Sequence, residues 1–170
     1  MTFEELSIIL QEKFQDSISI QNTETLQPRI LIEKKEFLLE IAHFLYTDDR
    51  LYFDNLVCMT ALDNESSFEV VYQFYSYPFE HSMTLAIVLD KVLDKEIDTQ
   101  IDTENPSVHS LTSIWKAADW HEREAFDMIG IEFENHPDLR RLLMPADWEG
   151  FPLRKDYKTQ ENYHGIKVDY

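Results

Sequence analysis

The chain is poor in the residues from which redox and nucleotide sites are built. One cysteine, Cys58, stands among 170 residues. A single thiol makes no internal disulfide and falls short of the about four thiolates of an iron–sulfur cluster or the about four Cys/His ligands of a structural zinc site. Cys58 lies between Val57 and Met59 in an apolar run, the setting of a buried core thiol, and such usage suits a reducing compartment. Only three glycines occur, Gly130, Gly150 and Gly165. There is therefore no G-x-G-x-x-G, no P-loop and no glycine-framed nucleophile turn. The longest uninterrupted apolar run is Leu85-Ala86-Ile87-Val88-Leu89, whereas a bilayer span needs about 20 apolar residues, so any membrane association is expected to come through a partner. Met1-Thr2-Phe3-Glu4-Glu5 is acidic where a secretion signal is basic. Basic residues are also scarce: 15 Lys and Arg against 33 Asp and Glu give a net charge of −18, which speaks against nucleic acid as a ligand.

The acidity is uneven. Residues 1–137 hold 9 basic and 27 acidic side chains (9 − 27 = −18), and residues 138–170 hold 6 of each, which sums to zero. Either a solvated acidic surface or a surface that meets a basic partner accounts for this. All three glycines also fall after residue 129, so the earlier turns rely on Asp63-Asn64-Glu65-Ser66-Ser67 and Tyr77-Pro78-Phe79-Glu80. The length fits one domain with a hydrophobic core.

Thr2 and Glu5 form a capping box, and Phe3, Leu6, Leu10 and Phe14 make one helical stripe behind it. Short strands are expected over 17–22, where Ile18 and Ile20 alternate, and over 29–33. A helix is expected near 34–47, with Phe37, Ile41, Phe44 and Leu45 on one side. Three strands follow, over 51–62, 68–75 and 82–89, in an antiparallel meander, and 91–106 reads as a polar loop or strand extension. The last helix is expected over 113–129, with Ser113 as N-cap and Gly130 just past its end. Beyond Gly130 periodicity stops. The order α-β-β-α-β-β-β-α-tail implies a two-layer α+β domain over 1–130, with a mixed, mostly antiparallel sheet and helices on one face. An extended C-terminal arm over 131–170 is expected to dock on partner subunits.

Trp120-His121-Glu122-Arg123-Glu124-Ala125-Phe126-Asp127 is the stretch densest in functional side chains. A helical zinc pair needs His at i and i+4, and Ala125 occupies that position. Glu124 and Asp127 could share a face as an acid/base or metal pair, with His136 completing a free-standing enzyme, or Arg123 and Asp127 could make an ordinary i,i+4 ion pair. Arg140 and Arg141 beside Asp138 suit bidentate docking. In the arm, Trp148, Tyr157 and Arg154 are interface-anchor types, with core packing as the plainer alternative.

Read together, Ala118-Asp119-Trp120, Glu122-Arg123-Glu124, Asp127-Met128, Gly130-Ile131, His136-Pro137-Asp138-Leu139-Arg140-Arg141 and Pro152-Leu153-Arg154-Lys155-Asp156 resemble the signature of the C-type (30 kDa) subunit of respiratory complex I. The match is strong over roughly 105–157. Ile129 stands where Phe is usual, Asn135 where Gly is usual and Phe151 where His is common. The resemblance implies a non-catalytic subunit of the peripheral arm of a proton-pumping NADH:quinone oxidoreductase, on the cytoplasmic side of the bacterial inner membrane. It would carry no cofactor itself, in a complex that uses NADH, FMN, Fe–S clusters and quinone, and it would brace the 49 kDa-type quinone-site subunit. Glu122, Arg123, Glu124, Asp127, Gly130, His136, Pro137, Asp138, Leu139, Arg140, Arg141, Pro152, Leu153, Arg154, Lys155 and Asp156 are then its signature and interface residues. Related chains occur in membrane-bound hydrogenases and ferredoxin-dependent complexes. The 30 kDa subunit is often fused to its large neighbour, and this chain, ending at Tyr170, is expected to be unfused.

Overall fold

A computed structural model describes residues 1–22, 24–25, 27–91 and 106–168. Helix α1 (Phe3–Phe14) starts on the expected capping box: the Glu5 amide donates to Thr2 Oγ1 at 3.4 Å, and the Thr2 amide donates to Glu5 Oε2 at 2.9 Å. Its stripe of Leu6, Leu10 and Phe14 is buried. Strands β1 (Ile18–Gln21) and β2 (Arg29–Ile32) pair antiparallel, and a 3-10 turn at Lys35–Phe37 leads into α2 (Leu38–Thr47).

Strands β3 (Asn55–Asp63), β4 (Ser67–Ser76) and β5 (His81–Asp90) form the expected antiparallel meander. The five strands order β1-β2-β5-β4-β3, and β2 meets β5 in parallel, which makes the sheet mixed and mostly antiparallel. Val70, Tyr72 and Phe74 of β4 lie opposite Ile87, Leu85 and Met83 of β5. This face is buried against Leu6, Leu10, Ile41, Leu45, Trp115 and Met128. Among the described residues no helix is long and apolar enough to cross a membrane.

Three boundaries differ from the sequence reading. The third strand begins at Asn55, not Leu51. Before it the chain climbs out of α2 in turns that bury Leu51 and Phe53, with the Phe53 amide on the Leu45 carbonyl at 2.9 Å. The last helix, α3, spans Ala118–Ile129, and Ser113 does not cap it; its N-cap is Ala117, with no side-chain cap bond. The cause is tertiary. Trp115 enters the core and donates from Nε1 to the Phe53 carbonyl at 2.9 Å, while the Leu111 amide is taken by Glu122 Oε1 at 2.7 Å. Residues 111–117 therefore run as turns. Last, the core continues past Gly130: Ile131 and Phe133 are buried, and β7 (Glu132–Glu134) pairs parallel with β6 (Ser107–His109). The expected polar loop at 91–106 lies almost wholly outside the described residues.

Gly130 ends α3 in the left-handed region at φ 79°, donating to the Ala125 and Phe126 carbonyls. A Cβ there would meet Phe151 Cε2 at 2.5 Å and Arg154 Nη2 at 2.7 Å, whereas one at Gly165, also at φ 79°, would meet nothing within 4 Å. Left-handed backbone costs an L-residue about 1–2 kcal/mol and overpacking about 1–3 kcal/mol more. Urea denaturation should therefore show Gly130→Ala losing about 2 kcal/mol or more, and clearly more than Gly165→Ala. Equal losses would contradict the packing of Phe151 and Arg154 over the helix end.

Candidate functional site

Helix α3 carries two carboxylates with no solvent exposure, Glu122 and Asp127, each at 0%. A buried charge requires compensation, and the two solve the problem in opposite ways.

Asp127 sits in a ring of donors. Its Oδ2 accepts from three consecutive amides, Leu142 at 3.0 Å, Leu143 at 2.6 Å and Met144 at 2.8 Å, and its Oδ1 accepts from Arg141 Nη1 at 2.8 Å. Burial pushes this carboxyl up, but the Met144 and Leu143 amides, the Arg141 guanidinium and the Leu142 amide outweigh it and hold the acid below its ordinary range. Arg141 also donates from Nη2 to the Gly150 carbonyl at 2.9 Å, tying a second point of the arm to the same carboxylate.

Glu122 has fewer donors. Oε1 accepts from the Leu111 amide, and Oε2 has no hydrogen-bond partner among the described residues. Burial is the largest influence and Asp119 adds to it. Together they outweigh the bonds from Ser110 and Leu111, so the acid is pushed up to about 7. Buried Tyr72 is pushed up as well, by burial and then by the charge of Glu122.

His136 fills the space beside these groups with a fully buried ring. Its Nδ1 accepts from the Asp138 amide at 3.0 Å, so Nε2 carries the proton. That nitrogen lies 3.3 Å from the Asp119 carbonyl and 3.9 Å from Glu122 Oε2. Asn135, just before it, has φ 65°, the conformation that suits glycine or asparagine. Pro137 follows, Leu139 packs against the core, and Asp138 holds exposed Arg140 at 2.9 Å.

The segment Pro152-Leu153-Arg154-Lys155 closes over the end of α3. The Leu153 amide donates to the Met128 carbonyl at 2.9 Å, and Arg154 Nε donates to the Ile129 carbonyl. A cation on the last carbonyls of a helix is favourable. The Lys155 amide reaches Asp63 Oδ2 at 2.8 Å, while Asp156 lies near enough to Arg154 to act on its charge. The guanidinium carbons of Arg141 and Arg154 lie 5.4 and 4.4 Å from the ring centre of Phe151.

Two of the chemical alternatives are overturned. Arg123 does not pair with Asp127; it lies 3.9 Å from Asp119 and donates to the Arg140 carbonyl at 3.2 Å and, more weakly, the Arg141 carbonyl. Glu124 and Asp127 do not converge on one site, since Asp127 is buried beneath three amides and Glu124 is exposed. Of the two arginines read as a docking pair, Arg141 is committed inside the chain and Arg140 points outward. No group of three or more His, Cys, Asp or Glu among the described residues is arranged to hold a metal ion. The burial of Glu122 and its pairing with the Leu111 amide carried no local sequence signal, because the partner comes from a loop eleven residues earlier.

An acid whose folded value, about 7, exceeds its ordinary value of 4.5 favours the fold when protonated. Its contribution is fully present below about pH 4.5 and fades as pH rises to about 7, a loss on the order of 3 kcal/mol. Glu122→Gln should remove this slope: urea titrations should find the variant more stable than the parent at pH 8, with the gap closing near pH 4.5. A gap independent of pH would contradict a protonated Glu122.

Residues 31–163 match the family of the respiratory-chain NADH dehydrogenase 30 kDa subunit. The C-type subunit of the NADH-quinone oxidoreductase of Chloroherpeton thalassium is 43% identical over 164 residues, which cover 95% of this chain and 63% of that protein. The chain thus spans less than two thirds of that relative's length. Its counterpart of the same name in Chlorobium phaeobacteroides is 37% identical over 166 residues, covering 95% of this chain and 92% of the other. In fold the chain is similar to one from the membrane-bound sulfane sulfur reductase, an archaeal respiratory membrane complex. The TM-score is 0.69 at 19% identity, covering 91% of this chain and 85% of that one. By sequence, the chain belongs to the 30 kDa subunit family of respiratory-chain NADH dehydrogenases.

Proposed function

We propose that this chain is a peripheral-arm subunit of a proton-translocating NADH:quinone oxidoreductase that carries no redox group and braces the quinone-site subunit through its C-terminal arm. Electrons pass from NADH through FMN and iron–sulfur clusters to quinone in the neighbouring subunits, and this chain works on the cytoplasmic side of the membrane. The observation that carries the reading is the use made of the signature residues. Asp127, Arg141, Arg154 and Gly130 are spent on fixing the course of residues 138–157 over α3. What the fixed arm leaves outside is adhesive: Leu143 and Leu153 are 62% and 61% exposed, the Arg140 side chain 71%. An arm ordered before it binds loses less conformational entropy on docking.

Arg140→Glu combined with Leu143→Glu separates docking from folding. Exposed substitutions shift fold stability by about 0.5 kcal/mol or less each, whereas losing an interface charge costs about 2–5 kcal/mol of association. The isolated double variant should melt as the parent does, yet be lost from the complex on native gels of membranes. Normal recovery with full NADH:quinone activity would show that the arm's outer face does not dock.

A further inference from the structure

β3 lies at the end of the sheet and pairs only with β4 among the described residues. Its other edge presents backbone N–H and C=O groups with no strand partner, a template for one more strand unless something blunts it. A β-bulge interrupts the register between Leu56 and Cys58, which leaves Cys58 to Asp63 as the longer regular stretch of the strand. Along that stretch runs a groove of about 270 Å³, between residues 58–61 and α3. Its floor is apolar, with Met59, Ala125 and Met128 all buried.

Glu124 stands on the rim, exposed, with no hydrogen bond or ion pair among the described residues. The other acids of α3 are engaged: Asp119 with Arg123, Glu122 with Leu111, Asp127 with Arg141. One turn before Glu124 on the same helix, Trp120 is 64% exposed, and Leu153 of the arm lines the groove. An unpaired edge, two exposed apolar anchors and an unengaged carboxylate thus form one surface, continuous with the arm. Apart from Leu153, it lies on residues 1–137, which hold 27 acidic and 9 basic residues. A second copy would bring the same charge of −18 against it.

We propose that the edge of β3 and its groove take an extended, basic segment of a neighbouring subunit, which pairs its backbone with residues 58–61 and sets a Lys or Arg against Glu124. This is strand addition, in which main-chain bonds supply affinity and the flanking side chains select the sequence. The proposal rests on the reading of the chain as a complex subunit.

Hydrogen exchange on the complex purified from membranes, compared with the isolated chain, tests it. Exchange in peptides covering 57–62 should slow at least tenfold on assembly. Glu124→Lys should cut recovery in the complex at least tenfold with the isolated variant melting as the parent, and Glu124→Asp should retain it. Unchanged exchange at 57–62, in a complex where 138–157 gains protection, would overturn the strand addition and leave the subunit reading standing. Failure of the chain to co-purify with any membrane complex would overturn that reading instead. Protection at 57–62 that grows with the concentration of the isolated chain would assign the edge to a second copy and also overturn the proposal.

Discussion

The arm's course depends on one carboxylate. Asp127 is shut off from water, and it is tolerable there only because Leu142, Leu143 and Met144 turn their amides toward one oxygen and Arg141 covers the other. That demand dictates the path of the chain after the signature His136-Pro137-Asp138-Leu139-Arg140-Arg141. Arg141 passes the constraint on to Gly150, and Phe151 and Arg154 then settle on the end of α3, where Gly130 alone leaves them room. Remove the carboxylate and each of these contacts loses the position from which it works.

Glu122, five residues earlier on the same helix, shows how strongly surroundings decide the chemistry of an acid. Both groups lose their water. Asp127 gains four donors and stays ionised, whereas Glu122 gains too few and holds its proton to about pH 7. Neither lines an open cleft. Of the residues that first suggest acid/base chemistry, Asp127 and His136 bond to neighbouring backbone, and the side chains facing outward are those with which proteins adhere: Trp120, Arg140, Leu143 and Leu153.

Much of this was legible wherever structure is local. The capping box at Thr2, the alternation in β4 and β5, and Gly130 at the end of α3 all follow from neighbours within a few residues. What escaped depends on distant partners. The start of α3 was displaced because Trp115 bonds Phe53, 62 residues away. β6 and β7 are three residues each, too short to show a period. The i,i+4 rule offers Arg123 to Asp127, but Arg141, fourteen residues on, brings three amides with it and takes the site. The arm lacks periodicity for a related reason. It is held by side chains bonding to backbone, a pattern with no repeat, and the resemblance to a family drew attention to those residues without indicating what each one does.

On the strength of Asp127 and its four donors, this chain orders its own arm before any partner arrives. Amide exchange of Leu142, Leu143 and Met144 in the isolated protein, resolved by NMR at neutral pH, tests that most directly. Charge-assisted bonds to a buried carboxylate should slow these three amides by about tenfold or more relative to an unstructured chain. Exchange at the unstructured rate would mean that Asp127 does not hold the arm, and that its shape is imposed from outside.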